Sequence, residues 1–497
     1  MNVLRSVWIK FVAALTFIFG VIWVVNLIDT EVFSPESQTD LSATLIFSVL
    51  GVVLLLLIFR NLLPSATKVG KFLYRSRWIV FGVIIILELI TVTFGSSTYG
   101  ADAGIILNIA QGKSGYLTND YFLYYPNNLV VLFVYRAFYL LFGSTNMILA
   151  LNYFNVLIVA ATFLYMARVM NRVLDKRGYV IAFYLFLFST TFTPYVLTPY
   201  SDTLVFIFVV AMLDFGTRVW EATTIKSAVV NSLGLALAAG IGSLIKPSAV
   251  MPFIAIFIVL ILFKVNRKNL LLVLVILGIS VGGFAGVKFI DNEIQQHQTL
   301  VKTSSNQAFP FTHFIMMGVN YYGGYTPEDF QITRNAKGKS KREKLNIEII
   351  KMRLKQRGVQ GYLKFLLLKE RNNTSSGTYT MNTELWLTNE HAGPKNNSVT
   401  SFIERYFYPN GKQTIVYKLW AQMIFVLVAI GVALSGWYNG VKQEKIINWL
   451  QLAALGGILF LLIFEGGRSR YLMQFMPIMT LIAASGFESL LEKKEAR

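Results

Sequence analysis

About twelve blocks of roughly twenty consecutive apolar residues dominate this chain, and a block of that length is suited to cross the hydrocarbon core of a bilayer. They lie near residues 7–28, 41–63, 78–95, 147–167, 178–196, 202–219, 227–245, 248–264, 269–289, 415–438, 446–464 and 471–490. In lipid every backbone N–H and C=O must be satisfied within the segment, so the blocks must be helices. The expected fold is an all-α polytopic integral membrane protein with about 12 transmembrane helices. Charged residues make up 14% of the 497, against about a quarter in a soluble domain, which excludes a soluble globular enzyme. The excess of 45 Lys+Arg over 26 Asp+Glu forms no basic stripe with interleaved aromatics, so no nucleic-acid partner is expected. There is no cysteine, and His297, His313 and His391 are the three histidines. That removes a disulfide framework, thiolate chemistry and an all-histidine metal cage. No resident cofactor is expected, and a divalent ion held by carboxylates stays open. Chemistry falls to carboxylates, Lys, Arg, Tyr and amides.

The basic residues set the orientation. With the N-terminus in the cytoplasm, one side collects Arg5, Lys10, Arg60, Lys68–Arg77, Arg168–Arg177, Lys264–Lys268 and the C-terminal lysines. The short loops on the other side hold only Lys113, Arg136, Lys246, Arg468 and Arg470. The positive-inside rule then places both termini in the cytoplasm of a multi-pass plasma-membrane protein. This works only if the apolar stretch 129–142, with Arg136 in its middle, does not cross. It reads as an interfacial or re-entrant helix; a full span with a broken charge rule is the alternative. The first span follows Arg5 and Lys10 as a signal peptide would. It is too long for a typical signal core and no A-x-A site follows, so it reads as an uncleaved anchor.

Four regions result. Residues 1–77 hold two helices and a basic cytoplasmic loop. Residues 78–290 form a transmembrane core with a first outer loop at 96–146. Residues 291–414 form a large extracytoplasmic region, and 415–497 the last helices. Within 291–414, a basic amphipathic segment ends at Gly358, and VQGYLKFLLLKER follows with an apolar face suited to the membrane surface or to capping a cavity. A solvated helix pair is the plainer reading.

The outer-facing polar residues are where chemistry can sit. Asp102 stands in STYGADAGIILNIA at the start of a short surface helix. Locally it reads first as a helix N-cap; at the mouth of the membrane domain it also suits a general base for a hydroxyl. Asp120 and Asp202 are further outer carboxylates, and Ser201–Asp202 also fits a cap. Tyr121, Tyr124 and Tyr125 can stack on sugar faces, and Asn127 and Asn128 can hydrogen-bond hydroxyls, or the group is an interfacial aromatic belt. Arg468 and Arg470, after Gly466–Gly467, make a clamp for a phosphate in the headgroup plane. Lys246 sits at an outer span end before Pro247. His313, as acid/base or ligand hydrogen-bonder, and Tyr321, in a Tyr/Gly-rich turn, complete the candidates.

In order and sidedness these residues resemble the GT-C superfamily of membrane glycosyltransferases, nearest its protein O-mannosyltransferase and aminoarabinose-transferase branch. The family pattern has an acidic residue and a surface helix in the first outer loop, then a YP or PP segment leading a non-spanning helix. Asp102, Tyr125–Pro126 and 129–142 match it. A later carboxylate looks like Asp202, a lysine–proline like Lys246–Pro247, and a C-terminal R-Y like Arg470–Tyr471. The chain departs where the family often shows an Asp-Glu pair and this sequence reads GADAG; Asp120 could fill the second role. The resemblance implies an inverting, metal-independent transfer of a hexose or pentose from a polyprenyl-phosphate sugar to an extracytoplasmic acceptor in the cell envelope. Asp102 would be the base, and Arg468, Arg470 and Lys246 would hold the phosphate. Membrane lipids are the other expected partners. A saccharide polymerase or ligase, or a non-catalytic flippase or transporter, are the alternatives. The absence of cysteine suits a bacterial, Gram-positive envelope.

Overall fold

Apolar blocks this long can satisfy their backbone only as helices, and the computed structural model shows them as such. It describes residues 2–32, 68–113, 120–394, 397–437 and 444–495. Among the described residues ten helical segments are long and apolar enough to cross a membrane, from Val3–Leu27 and Gly70–Gly95 through to Ser469–Leu491. The expected span 41–63 lies outside the described residues. The expected span 178–196 is broken. Its helix, Lys176–Phe186, passes into a π-turn at Leu187–Thr191, and Pro194 opens a 3₁₀ turn, Pro194–Leu197. Proline cannot donate into a helix ladder, so the helix must end before it. The amide of Thr193, freed from the helix ladder but buried, is taken up by buried Glu88, whose Oε1 accepts it at 2.8 Å.

The last helix is the hub: 89% of the apolar window in Ser469–Leu491 is buried, against 28% in Gly70–Gly95 and in Leu270–His297, which form the rim. Small residues let the central helices close up. A Cβ on Gly431 would meet Ala483 at 2.6 Å, and one on Gly20 would meet the Ala433 backbone at 2.5 Å. Without water to exclude, such close packing is the main source of helix adhesion in lipid. Trp23 adds an edge-on contact to Phe425 at 4.9 Å.

Gly143 decides the course of 129–142. It takes φ 70°, ψ 178° and breaks the helical stretch Leu129–Val173 in two. Before the break, Asn128 bonds Tyr121 and the Tyr135 hydroxyl donates to Pro199 O at 2.9 Å. After it, Asn152 donates to Ser96 Oγ and accepts from the Tyr99 hydroxyl. Both ends of 129–142 therefore lie at the end of the bundle that carries Ser96 and Asp102. The far end is reached only later, where Arg172 pairs with Asp214 at 2.8 Å. Arg136 has its own explanation: Nη1 donates to Ala110 O at 2.8 Å, capping the last turn of the helix Ala101–Ala110.

Residues 291–414 fold back over this end. The rim helix runs on to His297, followed by Phe311–Gly318, Pro327–Asn335 and Lys339–Thr374, the last broken at Gly358 (φ 61°). A two-stranded antiparallel ribbon, β1 (Ser97–Tyr99) with β2 (Leu387–His391), ties the region to the segment that leads into the helix Ala101–Ala110. Lys369 is a second tie. Its buried Nζ donates to Gly318 O and Leu462 O, carbonyls at the C-terminal ends of two helices, where a cation is favoured.

Candidate functional site

Each charged side chain at this end is placed by a local break in the backbone. Lys246 follows the helix Ile225–Ile245, and Pro247 holds it extended at φ −149°, ψ 108°. Its ammonium, buried at that helix C-terminus, pairs with Asp202. Asp202 sits in the short turn Ser201–Leu204 after the broken span; the cap position is Tyr200 and carries no side-chain cap. Asp202 is 3% exposed and lies between two cations, Lys246 and Arg470, whose Nε is 3.4 Å from Oδ2.

Arg470 and Arg468 lie in and just before the 3₁₀ turn Ser469–Phe475. The glycines ahead of them allow a close approach, but to protein: a Cβ on Gly467 would come within 3.0 Å of Lys369 O, and one on Gly466 within 2.9 Å of Gly324 Cα. The two arginines share one carboxylate, Glu384, with Arg468 Nη1 at 2.9 Å and Arg470 Nη1 at 3.2 Å. Arg470 also lies against the rings of Trp386 at 5.4 Å and Tyr471 at 5.5 Å. Trp386 O accepts the Gly100 N–H at 2.8 Å. One residue therefore links the arginine to the turn that carries Asp102.

Asp102 is not the cap of its helix. Gly100 is, and Asp102 stands in the first turn with no cap bond. The intervening Ala101 has φ 47°, a conformation that costs an L-residue roughly 1–2 kcal/mol; strain of this kind collects where a side chain must be aimed. Asp102 is accessible to solvent yet walled by protein, the position of a group lining a crevice. Desolvation there raises its carboxyl above the ordinary aspartate value. Arg470, a hydrogen bond from Tyr121 and Arg468 draw it partly back. The Tyr121 hydroxyl accepts from Asn128 Nδ2 at 2.6 Å, which leaves its own proton for a second acceptor. Tyr125 and Tyr325 also feel the Asp102 charge, and burial followed by that charge raises both phenols.

The structure thus brings together Asp102, Asp202, Lys246, Arg468, Arg470, Asn128 and Tyr125 from the sequence reading. Asp120 is elsewhere, half-exposed and paired with Arg334 at 3.3 Å. Tyr124 belongs to that contact: its hydroxyl accepts from Arg334 Nε, and its ring packs on Phe309 and Phe330. Asn127 is exposed, and Tyr321 is 81% exposed against Tyr322. His313 is buried among the helices of residues 291–414, bonded through Nδ1 to Thr333 Oγ1 at 2.8 Å. Burial brings its imidazole down to about 4. Glu384, Trp386 and Glu465 escape the sequence reading. Glu465 stands three residues before Arg468, and the charges of Lys246, Arg470 and Lys369 reach it; its position invited attention. Glu384 and Trp386 lie in a polar loop with no pattern to mark them. Among the described residues no three carboxylate or imidazole side chains converge as a metal site would require.

Fold and site together define a multi-pass helical membrane protein with a cationic cluster and an accessible carboxylate at one end. The chain belongs to the family of conserved hypothetical integral membrane proteins, whose profile it matches over residues 1–490. No curated protein matches it. Among solved structures it is similar to the archaeal oligosaccharyltransferase AglB of Archaeoglobus fulgidus, in complex with an inhibitory peptide and a dolichol-phosphate. The identity is 13% and the TM-score 0.43, over 84% of this chain and 51% of that one. It is also similar to ArnT of Cupriavidus metallidurans bound to undecaprenyl phosphate, at 13% identity and a TM-score of 0.31, over 85% of this chain and 79% of that one. The chain spans about half the length of the oligosaccharyltransferase.

Proposed function

We propose that the protein is a membrane glycosyltransferase that moves a sugar from a polyprenyl-phosphate donor to a hydroxyl acceptor at the extracytoplasmic face. The observation that carries this reading is the meeting of Asp102, accessible in its crevice, with the charges of Arg470 and Arg468, to which Lys246 is joined through their shared neighbour Asp202. Asp102 accepts the acceptor's proton. The acceptor oxygen then attacks the anomeric carbon, and the bond from that carbon to the phosphate oxygen breaks with its electron pair leaving on the phosphate. Configuration inverts. A raised carboxyl suits the base, because proton transfer is most effective when its affinity approaches the working pH. The departing phosphate develops charge beside fixed guanidinium and ammonium groups that need no reorganisation.

Those cations are paired with Asp202 and Glu384. Arg468 is the open one, its side chain 34% exposed, and a phosphate reaches it by exchanging with Glu384. Asp202, held on two cations, keeps Lys246 and Arg470 in place and is not free to act as a base. Asp120, at its Arg334 contact, ties the two outer loops together.

The test is mass spectrometry of lipid-phosphate sugars and envelope polymers with and without the gene product. Loss of one sugar substituent from an envelope polymer, lipid or protein, with build-up of its lipid-phosphate form, is expected. Unchanged levels of both overturn the reading.

A further inference from the structure

We infer that the end of the bundle opposite Asp102 carries a separate binding site for a phosphate-bearing anion, built on Arg5, Lys10 and Lys445. The three cations line one cavity of about 340 Å³, within the size range of small-ligand pockets. They come from two distant parts of the chain, the first turns of the helix Asn2–Val32 and the start of Glu444–Phe464. The cavity also touches the last turn of Met251–Lys264 through Phe263. That end is opposite the first site, because Lys246 precedes Met251–Lys264, Arg468 follows Glu444–Phe464, and Asn26 of the first helix reaches Thr374 in the outer region.

The charge does not cancel. Glu444 is, among the described residues, the one acid on the cavity wall against three cations. Among the described residues, no ion pair engages Arg5, Lys10, Glu444 or Lys445. A bias of basic residues toward one membrane face is general, but it does not by itself gather three of them around a concavity. Arg5 is also pre-set. Its Nε donates to Leu262 O at 2.8 Å, a carbonyl in the last turn of its helix. This anchors the guanidinium and leaves its terminal nitrogens for a second acceptor. An arginine fork with lysines beside it matches the oxygens of a phosphate. Ser6 adds a hydroxyl, and Ile9 and Phe263 give one apolar wall. Basic pockets between transmembrane helices at the headgroup level take anionic lipid headgroups. The same chemistry would hold a free phosphate ester, and the experiment below separates the two.

The full chain, purified in detergent, is titrated with phosphatidylglycerol and with phosphatidylcholine and read by native mass spectrometry. Phosphatidylglycerol is expected to be retained over phosphatidylcholine, and the R5Q/K445Q variant to lose at least about tenfold in that retention. If this variant does not fold, Lys10→Gln on the exposed helix surface is used, with a smaller loss in the same direction. Millimolar glycerol phosphate is the second arm. Failure to displace the lipid assigns the site to a lipid headgroup, and displacement assigns it to a phosphate ester at large. Equal retention of the two lipids with no binding of glycerol phosphate, or wild-type retention in the folded variants, overturns the inference.

Discussion

The Asp202–Lys246 pair is a sharp test of how the site is held. Its members are 3% and 6% exposed, so neither charge is left to bulk water. Breaking a buried pair by removing one partner costs about 3–5 kcal/mol, because a charge is left without compensation. The two single variants are not equivalent. Lys246→Met leaves Asp202 with Arg470 Nε at 3.4 Å, so its cost falls at the lower end of that range. Asp202→Asn leaves Lys246 with no carboxylate in ion-pair contact among the described residues, the Tyr471 ring at 5.1 Å and the more distant charge of Glu465 being what remains; its cost falls at the upper end. The double variant buries no unpaired lysine and is expected to be more stable than Asp202→Asn alone. The assay is denaturant unfolding of the purified protein in detergent for the four members of the cycle. Single effects below about 0.5 kcal/mol, the level of ordinary surface changes, would refute the reasoning. So would strict additivity, since contacting residues must couple.

Two further predictions concern titration. His313 is held neutral by burial, at about 4 in the fold against 6.5 outside it. Between those values the unfolded chain binds the extra proton, so stability falls as pH drops from 6.5 to 4, by about 3 kcal/mol in all. His313→Asn should flatten that stretch of the unfolding profile, and an unchanged slope would reject the assignment. Glu370 has the opposite sign. Desolvation pushes it up to about 8, Asn373 one turn on pulls it back only partly, and neither oxygen has a partner at hydrogen-bond geometry among the described residues. The folded chain keeps a proton that the unfolded chain releases, so stability falls as pH rises from 4.5 to 8. Glu370→Gln should therefore stabilise the protein at pH 7, by on the order of 3 kcal/mol; a destabilised variant in a thermal scan would contradict this.

Hydrophobic length and charge asymmetry made the membrane architecture readable, because in lipid the backbone has so few options. The kink at Gly143 follows the same logic: a short apolar block carrying Arg136, then a glycine able to take φ 70°. The amphipathic break at Gly358 was visible for a similar reason. In the span 178–196 Pro194 signals a break in the sequence, whereas the π-turn at 187–191 has no mark, because apolar content alone says nothing about where a ladder stops. Of the site, the residues beside Pro and Gly punctuation and on the side poor in basic groups stood out: Lys246, Arg468, Arg470, Asp102. Glu384 and Trp386 could not, since the ribbon pairing Ser97–Tyr99 with Leu387–His391 joins segments almost three hundred residues apart. Local sequence also misjudged Asp102 as a cap. The helix begins before Asp102, at Ala101, so the cap position falls on Gly100 and Asp102 stands in the first turn.

The proposed mechanism stands or falls on Asp102. Asp102→Asn keeps shape and hydrogen bonding, and with Gly100 as the cap it removes no helix-capping bond. The decisive measurement is single-turnover transfer from a polyprenyl-phosphate sugar donor by wild-type protein and by this variant, with thermal unfolding run on the same samples. A positioned general base contributes about 10²–10⁴-fold in rate, so transfer is predicted to fall at least about a hundredfold at an unchanged unfolding temperature. Near-normal transfer by the folded Asn variant would contradict the assignment of Asp102 as the base.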